Sequence, residues 1–466
     1  MNYLGKHKGI WRCVACLAAT VGFFAAMIPL SGRKFMGFDE NFTYRIARLN
    51  SAEEIWRRMA DGLGETNPPF MHIVAHYALL SPLDPDLAIR LPSMIGYWVM
   101  VACVFRFALR RVSRLNAGVA ASLSLCQFQY AVEGRVYGLL LGLAGVSLLF
   151  WRSTVENRRP ALDSLALGSC FAIASFAHFY GFMIMVPFGF AELARSRGNL
   201  KASLPILGSF AIGLTPLVAI LPFARYARTW SPTFWGRPHA ASSLWAYHSL
   251  CGIPLTLVLV VGCLCVAGAA VLRARSRVAP VQPGFRHYEV VLFCTAALMP
   301  VWVHGMSIFT NAYSPRYAIV MIVGIALLGA TVLHEAERHG SLLHGICILI
   351  ALESLGYHVN HDLARLHLDH VAMKASMDTV GRILREDPNA ICIVTEHHLY
   401  LRIQRYLDQD QGGRVYGYCD SERAGAMRTV LELCRIANLQ FINMADVENV
   451  MKYDEHIVRA IKARNH

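Results

Sequence analysis

Apolar runs long enough to cross a bilayer recur along the whole chain, and this repetition decides what the protein can be. A transmembrane helix needs roughly 17–25 mostly apolar residues. Runs near that length cover residues 10–30, 87–109, 117–132, 136–151, 162–177, 179–195, 203–223, 251–272, 288–304, 317–334 and 342–358, which predicts about eleven spans. The composition agrees: the 466 residues are 55% hydrophobic and only 16% charged, against about 25% charged in soluble domains. The expected fold class is a polytopic α-helical membrane protein.

Charge orders these spans. The formal net charge of +13 fits positively charged cytoplasmic loops. No basic tract carries interleaved aromatics, so nucleic acid is not an expected partner. Residues 68–80 are apolar but interrupted by His72 and His76, and they are too short to cross. Leaving that segment on the outer face puts Arg106/Arg110/Arg111/Arg114, Arg152/Arg158/Arg159, Arg195/Arg197/Lys201 and Arg273/Arg275/Arg277 on the same side as the N-terminus. If the segment crosses, all four clusters are turned outward, against the positive-inside rule. Arg33 and Lys34 are the exception, beside the first span. The N-terminus is then cytoplasmic. The first apolar run exceeds a signal-peptide core and no small-residue cleavage site follows it, so it reads as a retained helix.

The same arrangement groups the loops 37–69, 133–137, 178–181, 224–250 and 305–316 on the outer face. Within the first outer loop, 31–86, residues 51–63 predict a helix lying on the membrane. Ser51 and Glu54 fit a capping box, and Ile55, Met59 and Leu63 form an apolar stripe.

Composition changes near Asn360. Residues 361–386 predict a helix, 390–395, 415–418 and 439–442 short buried strands, and 400–408, 423–437 and 447–463 further helices. Strands alternating with helices predict a small α/β domain over 359–466, following a membrane domain over 1–358. An odd number of spans puts that domain outside. Ten of the thirteen cysteines lie in or beside apolar segments, where cysteine packs as a small hydrophobe. Cys419 and Cys434 are candidates for an outer disulfide, with no spacing rule to pair them.

Several polar groups at the outer loops have chemistry of their own. Asp39 and Glu40 follow the first span. A partly desolvated carboxylate there suits a general base toward a hydroxyl. A helix N-cap or an ion pair with Arg33, Lys34 or Arg45 explains the same residues. Glu133-Gly134-Arg135-Val136-Tyr137 offers a planar guanidinium and a phenol suited to phosphate oxygens, or an interfacial anchor. Pro315-Arg316-Tyr317 repeats that pairing. Arg225 and Arg228 are further outer cations, near Tyr226, Trp230, Trp235 and Trp245. His178 and Tyr180, in a very short turn, either touch ligand or close the turn. His72 and His76 alone are a weak metal signal.

The order of these motifs resembles that of the GT-C glycosyltransferases. It is carried by Asp39-Glu40 after the first span, Asn67-Pro68-Pro69-Phe70, Arg90-Leu91-Pro92-Ser93, Glu133-Gly134-Arg135-Val136-Tyr137, His178-Phe179-Tyr180 and Pro315-Arg316-Tyr317. The branch it is most similar to comprises bacterial relatives of the protein mannosyltransferases (family 39-like) and of the lipid A aminoarabinose transferase. The likeness covers residues 1–358.

It implies a GT-C fold and transfer of a sugar, with inversion, from a polyprenyl-phosphate donor. The acceptor is an envelope lipid, polysaccharide or protein outside the cytoplasmic (inner) membrane. By the same resemblance Asp39 is the base and Glu40 orients the acceptor or the base. Arg135, Tyr137 and Arg316, with Tyr317 beside them, bind the donor phosphate, leaving His178, Tyr180, Arg225 and Arg228 as candidate substrate contacts. The family's histidine-Pro-Pro pattern is Asn67-Pro68-Pro69 here, so that histidine's role is not carried over. Some branches use a divalent metal. With no acidic or histidine cage in this sequence, the expectation is transfer without one. A transporter or flippase of a lipid-linked sugar, and a non-catalytic envelope assembly protein, are the competing readings. The first predicts charges deep within spans and repeat symmetry, and the sequence displays neither.

Overall fold

A computed structural model of the protein describes residues 3–62, 67–156, 159–230, 236–252, 284–386, 391–394, 397–407, 414–419, 441–443 and 458–461. Among them six helices are long and apolar enough to cross a membrane: Cys13–Arg33, Pro85–Ala108, Tyr137–Val155, Pro160–Ala177, Leu200–Ala219 and Ser341–Glu386. The pair His287–Ala297 and Met299–Thr310, bent by 52°, makes a seventh if counted as one span. The chain is a multi-pass membrane protein.

The differences from the predicted spans have physical causes. Residues 117–132 are not one helix. The Arg114–Leu123 helix stops, and a 3-10 turn follows at Phe128–Tyr130. The Ser124 carbonyl accepts from the Tyr97 hydroxyl at 2.7 Å, and Gln127 Nε2 donates to the Leu250 carbonyl at 2.8 Å. The Ser124 carbonyl is thus taken by a side chain, and the amides of Leu125, Cys126 and Phe128 bond three residues back instead of four. Residues 179–195 likewise divide into a 3-10 turn, Gly181–Ile184, and a helix, Met185–Ser196. The span at 342–358 and the helix at 361–386 are one element, Ser341–Glu386, because the change in composition brings no helix breaker. The span expected at 251–272 lies almost wholly outside the described residues.

The chain divides into two compact units. The first takes Met1–Ile28, Leu91–Leu221 and Phe234–Asp362. In it the Pro160–Ala177 helix packs between Tyr137–Val155 and Leu200–Leu214, and His287–Ala297 packs against Met185–Ser196 and Met321–His339. Members of the basic clusters expected on one membrane face meet here. Arg111 and Arg152 both reach the buried Glu289 at 3.1 Å, and the Arg152 guanidinium lies 3.4 Å from the centre of the Phe107 ring.

The second unit takes Pro29–Arg90, Pro222–Thr233 and Leu363–His466. Short helices at Phe38–Ala47, Ala52–Ala60 and Phe70–Leu79 make up its first part. Ser51 caps the second of these, accepting from the Glu54 amide at 3.1 Å. The described part of its stripe does not rest on lipid as expected, and Leu63 lies outside the described residues. Ile55 and Met59 are fully buried within the protein, while Trp56 meets Phe223 edge to face. Apolar periodicity identifies a face that must be covered, not what covers it.

The C-terminal part holds a parallel four-stranded sheet: β1 (Ile391–Val394), β2 (Val415–Cys419), β3 (Phe441–Asn443) and β4 (Val458–Ile461), in the order β3-β2-β1-β4. β4 lies where a helix over 447–463 was expected. Its pairing with β1, Ile391 opposite Val458 through Val394 opposite Ile461, overrides a weak local helical pattern. The expected helix at 423–437 and the partner cysteine, Cys434, fall outside the described residues.

Candidate active site

Two polar clusters contain most of the predicted site residues, one in each unit. In the second unit, Gly37 is the N-cap of the Phe38–Ala47 helix, so Asp39 and Glu40 occupy its first turn. Glu40 is 1% exposed. Its Oε2 accepts from the Gly37 amide at 2.9 Å and from Lys34 Nζ at 2.8 Å. Its Oε1 accepts from Arg90 Nε at 2.8 Å, and the Arg90 guanidinium also donates to the Ser31 and Lys34 carbonyls at 2.7 and 2.9 Å. Burial alone raises this carboxyl's pKa, but the charges of Arg90 and Lys34 outweigh that and hold it well below the usual carboxylate range. Lys34, the odd cation beside the first span, is thereby accounted for.

Asp39 is half-buried, between the rigid Glu40 and the N-cap. Arg90 is the residue that sequence reasoning passed over. It stood in a family motif without a role, and its partner is 50 residues away. His72 is buried and His76 Nδ1 lies 2.8 Å from the Ala47 carbonyl. Among the described residues no group of three or more His, Cys, Asp or Glu is placed to hold a metal ion. Arg225 and Arg228 are exposed on the Leu221–Trp230 helix and join neither cluster.

In the first unit, Tyr137 opens the Tyr137–Val155 helix, and this helix lies in close contact with Pro85–Ala108. A Cβ on Gly96 would stand 2.5 Å from the Gly138 carbonyl oxygen, and one on Gly142 would stand 2.6 Å from that of Gly96. Small residues at such crossings let backbones approach. The Ser93 hydroxyl donates to the Arg135 carbonyl, fixing the turn that leads into Tyr137.

Around Tyr137 the predicted residues gather. Its ring is 5.9 Å from that of His178 and lies 5.6 Å below the Arg316 guanidinium. His178 is 5.0 Å from the Tyr317 ring, which stacks on Tyr180 at 4.9 Å and 17°. His178 Nδ1 accepts from the Tyr180 amide at 3.1 Å, so a neutral ring carries its proton on Nε2. The Tyr180 hydroxyl donates to the Ala312 carbonyl at 2.6 Å and lies 2.5 Å from Thr310 Oγ1. Burial pushes this phenol's pKa up, so it remains a donor.

His178, Tyr180 and Tyr317 are the polar residues lining a small pocket whose other walls are apolar side chains including Leu140, Met183 and Met299. Five predicted residues thus come together: Tyr137, His178, Tyr180, Arg316 and Tyr317. The Arg316 guanidinium over the Tyr137 ring is a cation with which an anion can pair.

Gly181 shapes the turn under His178. A Cβ there would overlap the Ala174 carbonyl group. Gly181→Ala is therefore expected to destabilise the protein by about 1–3 kcal/mol, as overpacking does. A lowered unfolding temperature in detergent checks this.

No protein-family model matches the chain, and no curated protein sequence does. Among solved structures it is similar to ArnT from Cupriavidus metallidurans in the apo state, at 14% identity and a TM-score of 0.55 over 94% of this chain and 91% of that one. It is also similar to the same protein bound to undecaprenyl phosphate, at 13% identity and a TM-score of 0.56 over 95% and 90%. The chain has a GT-C glycosyltransferase-like fold, as its motif order implies.

Proposed function

We propose that the protein is a membrane glycosyltransferase that moves a sugar from a polyprenyl-phosphate carrier to a hydroxyl on an envelope acceptor. The observation that carries this reading is the Arg316–Tyr137–His178–Tyr317 cluster beside an apolar pocket. It occurs in a fold shared with a protein solved with undecaprenyl phosphate. A carrier of that kind is an anionic phosphate on an apolar chain.

In the reaction, Asp39 takes the proton of the acceptor hydroxyl as its oxygen bonds to the anomeric carbon. The bond from that carbon to the phosphate oxygen breaks on the opposite face, so configuration inverts. Negative charge grows on the departing phosphate, where Arg135, Arg316 and the Tyr137 hydroxyl act. Fixed donors aimed at developing charge are worth most in such a site. Glu40 holds the first turn of the Asp39 helix rather than touching substrate. The N-terminus is assigned to the cytoplasm and the C-terminal sheet to the outer side of the inner membrane.

Replacing one main electrostatic donor typically costs about 10²–10³-fold in rate. Arg316→Met is expected to lose that much transfer and to weaken binding of undecaprenyl phosphate to the purified protein. Binding is read by native mass spectrometry or by quenching of intrinsic fluorescence. Unchanged binding together with unchanged transfer removes the phosphate role from Arg316.

A further inference from the structure

Phe35 and Met36, just before the cap of the Asp39 helix, are held by the C-terminal part of the chain. The Met36 amide donates to the Tyr406 hydroxyl oxygen at 2.8 Å, and the Met36 carbonyl accepts from Arg402 Nε at 3.1 Å. Tyr406 in turn donates to Asp86, whose other oxygen accepts from Arg405 at 3.0 Å. Arg402 is fixed by two bonds to Asp369, at 3.0 and 2.6 Å. Phe35 stacks on His370 at 5.0 Å and meets the Tyr406 ring edge-on at 4.9 Å. The Met36 side chain is fully buried among Tyr44, Ala47, Ala75 and Ile89.

Arg402, Arg405 and Tyr406 all belong to the His397–Tyr406 helix, which is itself seated on β2 through Gln404 Nε2 and the Val415 carbonyl at 2.9 Å. The Asp39 helix does not need these bonds in order to form. Glu40 and Asn41 already bond Gly37, and that completes its cap. What the C-terminal helix adds is a fixed starting point, since it holds both backbone groups of the residue just before the cap.

We propose that the His397–Tyr406 helix is a positioning element for Asp39, with Tyr406 as the positioning residue acting through Met36. This rests on the reading of Asp39 as the base. Burial and the neighbouring Asp86 raise the Tyr406 phenol's pKa, so it keeps the proton it donates. Without that oxygen the Met36 amide loses its partner, and the backbone leading into the Gly37 cap can shift. A misplacement of about 1 Å in a reacting group can cost about 10²-fold. The C-terminal sheet would then support the reaction without touching substrate.

Tyr406→Phe removes one oxygen and keeps the ring, so the apolar contacts of Phe35 and Met36 remain. The test uses full-length protein in lipid nanodiscs and a lipid extract from cells lacking the gene, in which unused donor and acceptor accumulate. Transfer is read as the mass of the product, at several extract concentrations. Tyr406→Phe is expected to lower the maximal rate about 10- to 100-fold, with half-saturation changed less than about twofold. In the Asp39→Asn background it is expected to cause no further loss, because a residue that acts through Asp39 has nothing left to position.

Arg402→Met, which leaves the Met36 carbonyl only the bond from Asn41 Nδ2 at 3.3 Å, is the second variant and is expected to behave alike. Hydrogen exchange of the 36–41 amides should quicken in both variants while the 70–79 helix is unchanged. Wild-type turnover by Tyr406→Phe overturns the proposal, as does an equal loss in the Asp39→Asn background. Wild-type turnover by Asp39→Asn alone removes the base assignment itself, and this proposal with it.

Discussion

Asp39→Asn is expected to leave a protein that inserts, folds and reaches wild-type levels, and that transfers sugar at least about 10²-fold more slowly. A general base contributes typically 10²–10⁴-fold, and the amide cannot take the acceptor's proton. The fold should tolerate the change because Asp39 is only half-buried and because its neighbours supply the cap. Gly37, Glu40 and Asn41 bond one another at the helix start without it. Rate and stability therefore separate at this position. Membrane protein level and unfolding temperature, measured beside product formation, show whether they do.

The next residue should behave in the opposite way. Glu40→Ala is expected to cost about 3–5 kcal/mol, the usual consequence of leaving a buried charge without its partner. Arg90 is fully buried, and losing Glu40 leaves its guanidinium with only the uncharged Ser31 and Lys34 carbonyls and the Ser31 hydroxyl. Arg90→Met should cost a similar amount, because Lys34 by itself then faces a fully buried carboxylate. Loss of folded protein in detergent, seen as a lower unfolding temperature and poor recovery, is the measurement.

The same pair sets an acid dependence. Glu40 is held well below its unfolded pKa of about 4.3. Its contribution is complete above that value and is lost as pH falls from there toward its folded value. Between pH 5 and 8 the pair should show no dependence. Below about pH 4 the wild type should lose stability faster than Glu40→Gln, which has nothing to titrate.

The contrast between adjacent carboxylates was only partly legible in the sequence. That Asp39-Glu40 follows the first span, and that the motif order matches one fold, could be read from residues alone. Which of the two acids is structural could not, because the deciding partner is Arg90, brought from 50 residues away by the tertiary fold. Periodicity and length marked Pro85–Ala108, Tyr137–Val155 and Pro160–Ala177 well, since apolar runs of spanning length have few alternatives. They failed where a side chain takes a backbone carbonyl and the chain tightens into three-residue turns, as after Ser124. They failed again at Val458–Ile461, where pairing with β1 decides the outcome.

The gathering of Tyr137, His178, Tyr180, Arg316 and Tyr317 was foreseeable only as a shared membrane face. Their ring-to-ring contacts depend on helix ends that no local pattern specifies. The Gly138/Gly142 spacing was present in the sequence as a small-residue motif, and it is the signal for the close helix pair that the span assignment alone did not use.

Asp39-dependent sugar transfer is read most directly by mass spectrometry of envelope lipids and glycans from cells lacking the gene, complemented with wild type or with Asp39→Asn at equal protein level. Wild type is expected to restore one envelope component heavier by a single sugar residue. Asp39→Asn should leave that component unmodified, with the polyprenyl-phosphate sugar accumulated. Full restoration by Asp39→Asn removes Asp39 as the base, and no difference in mass with and without the gene removes the transfer itself.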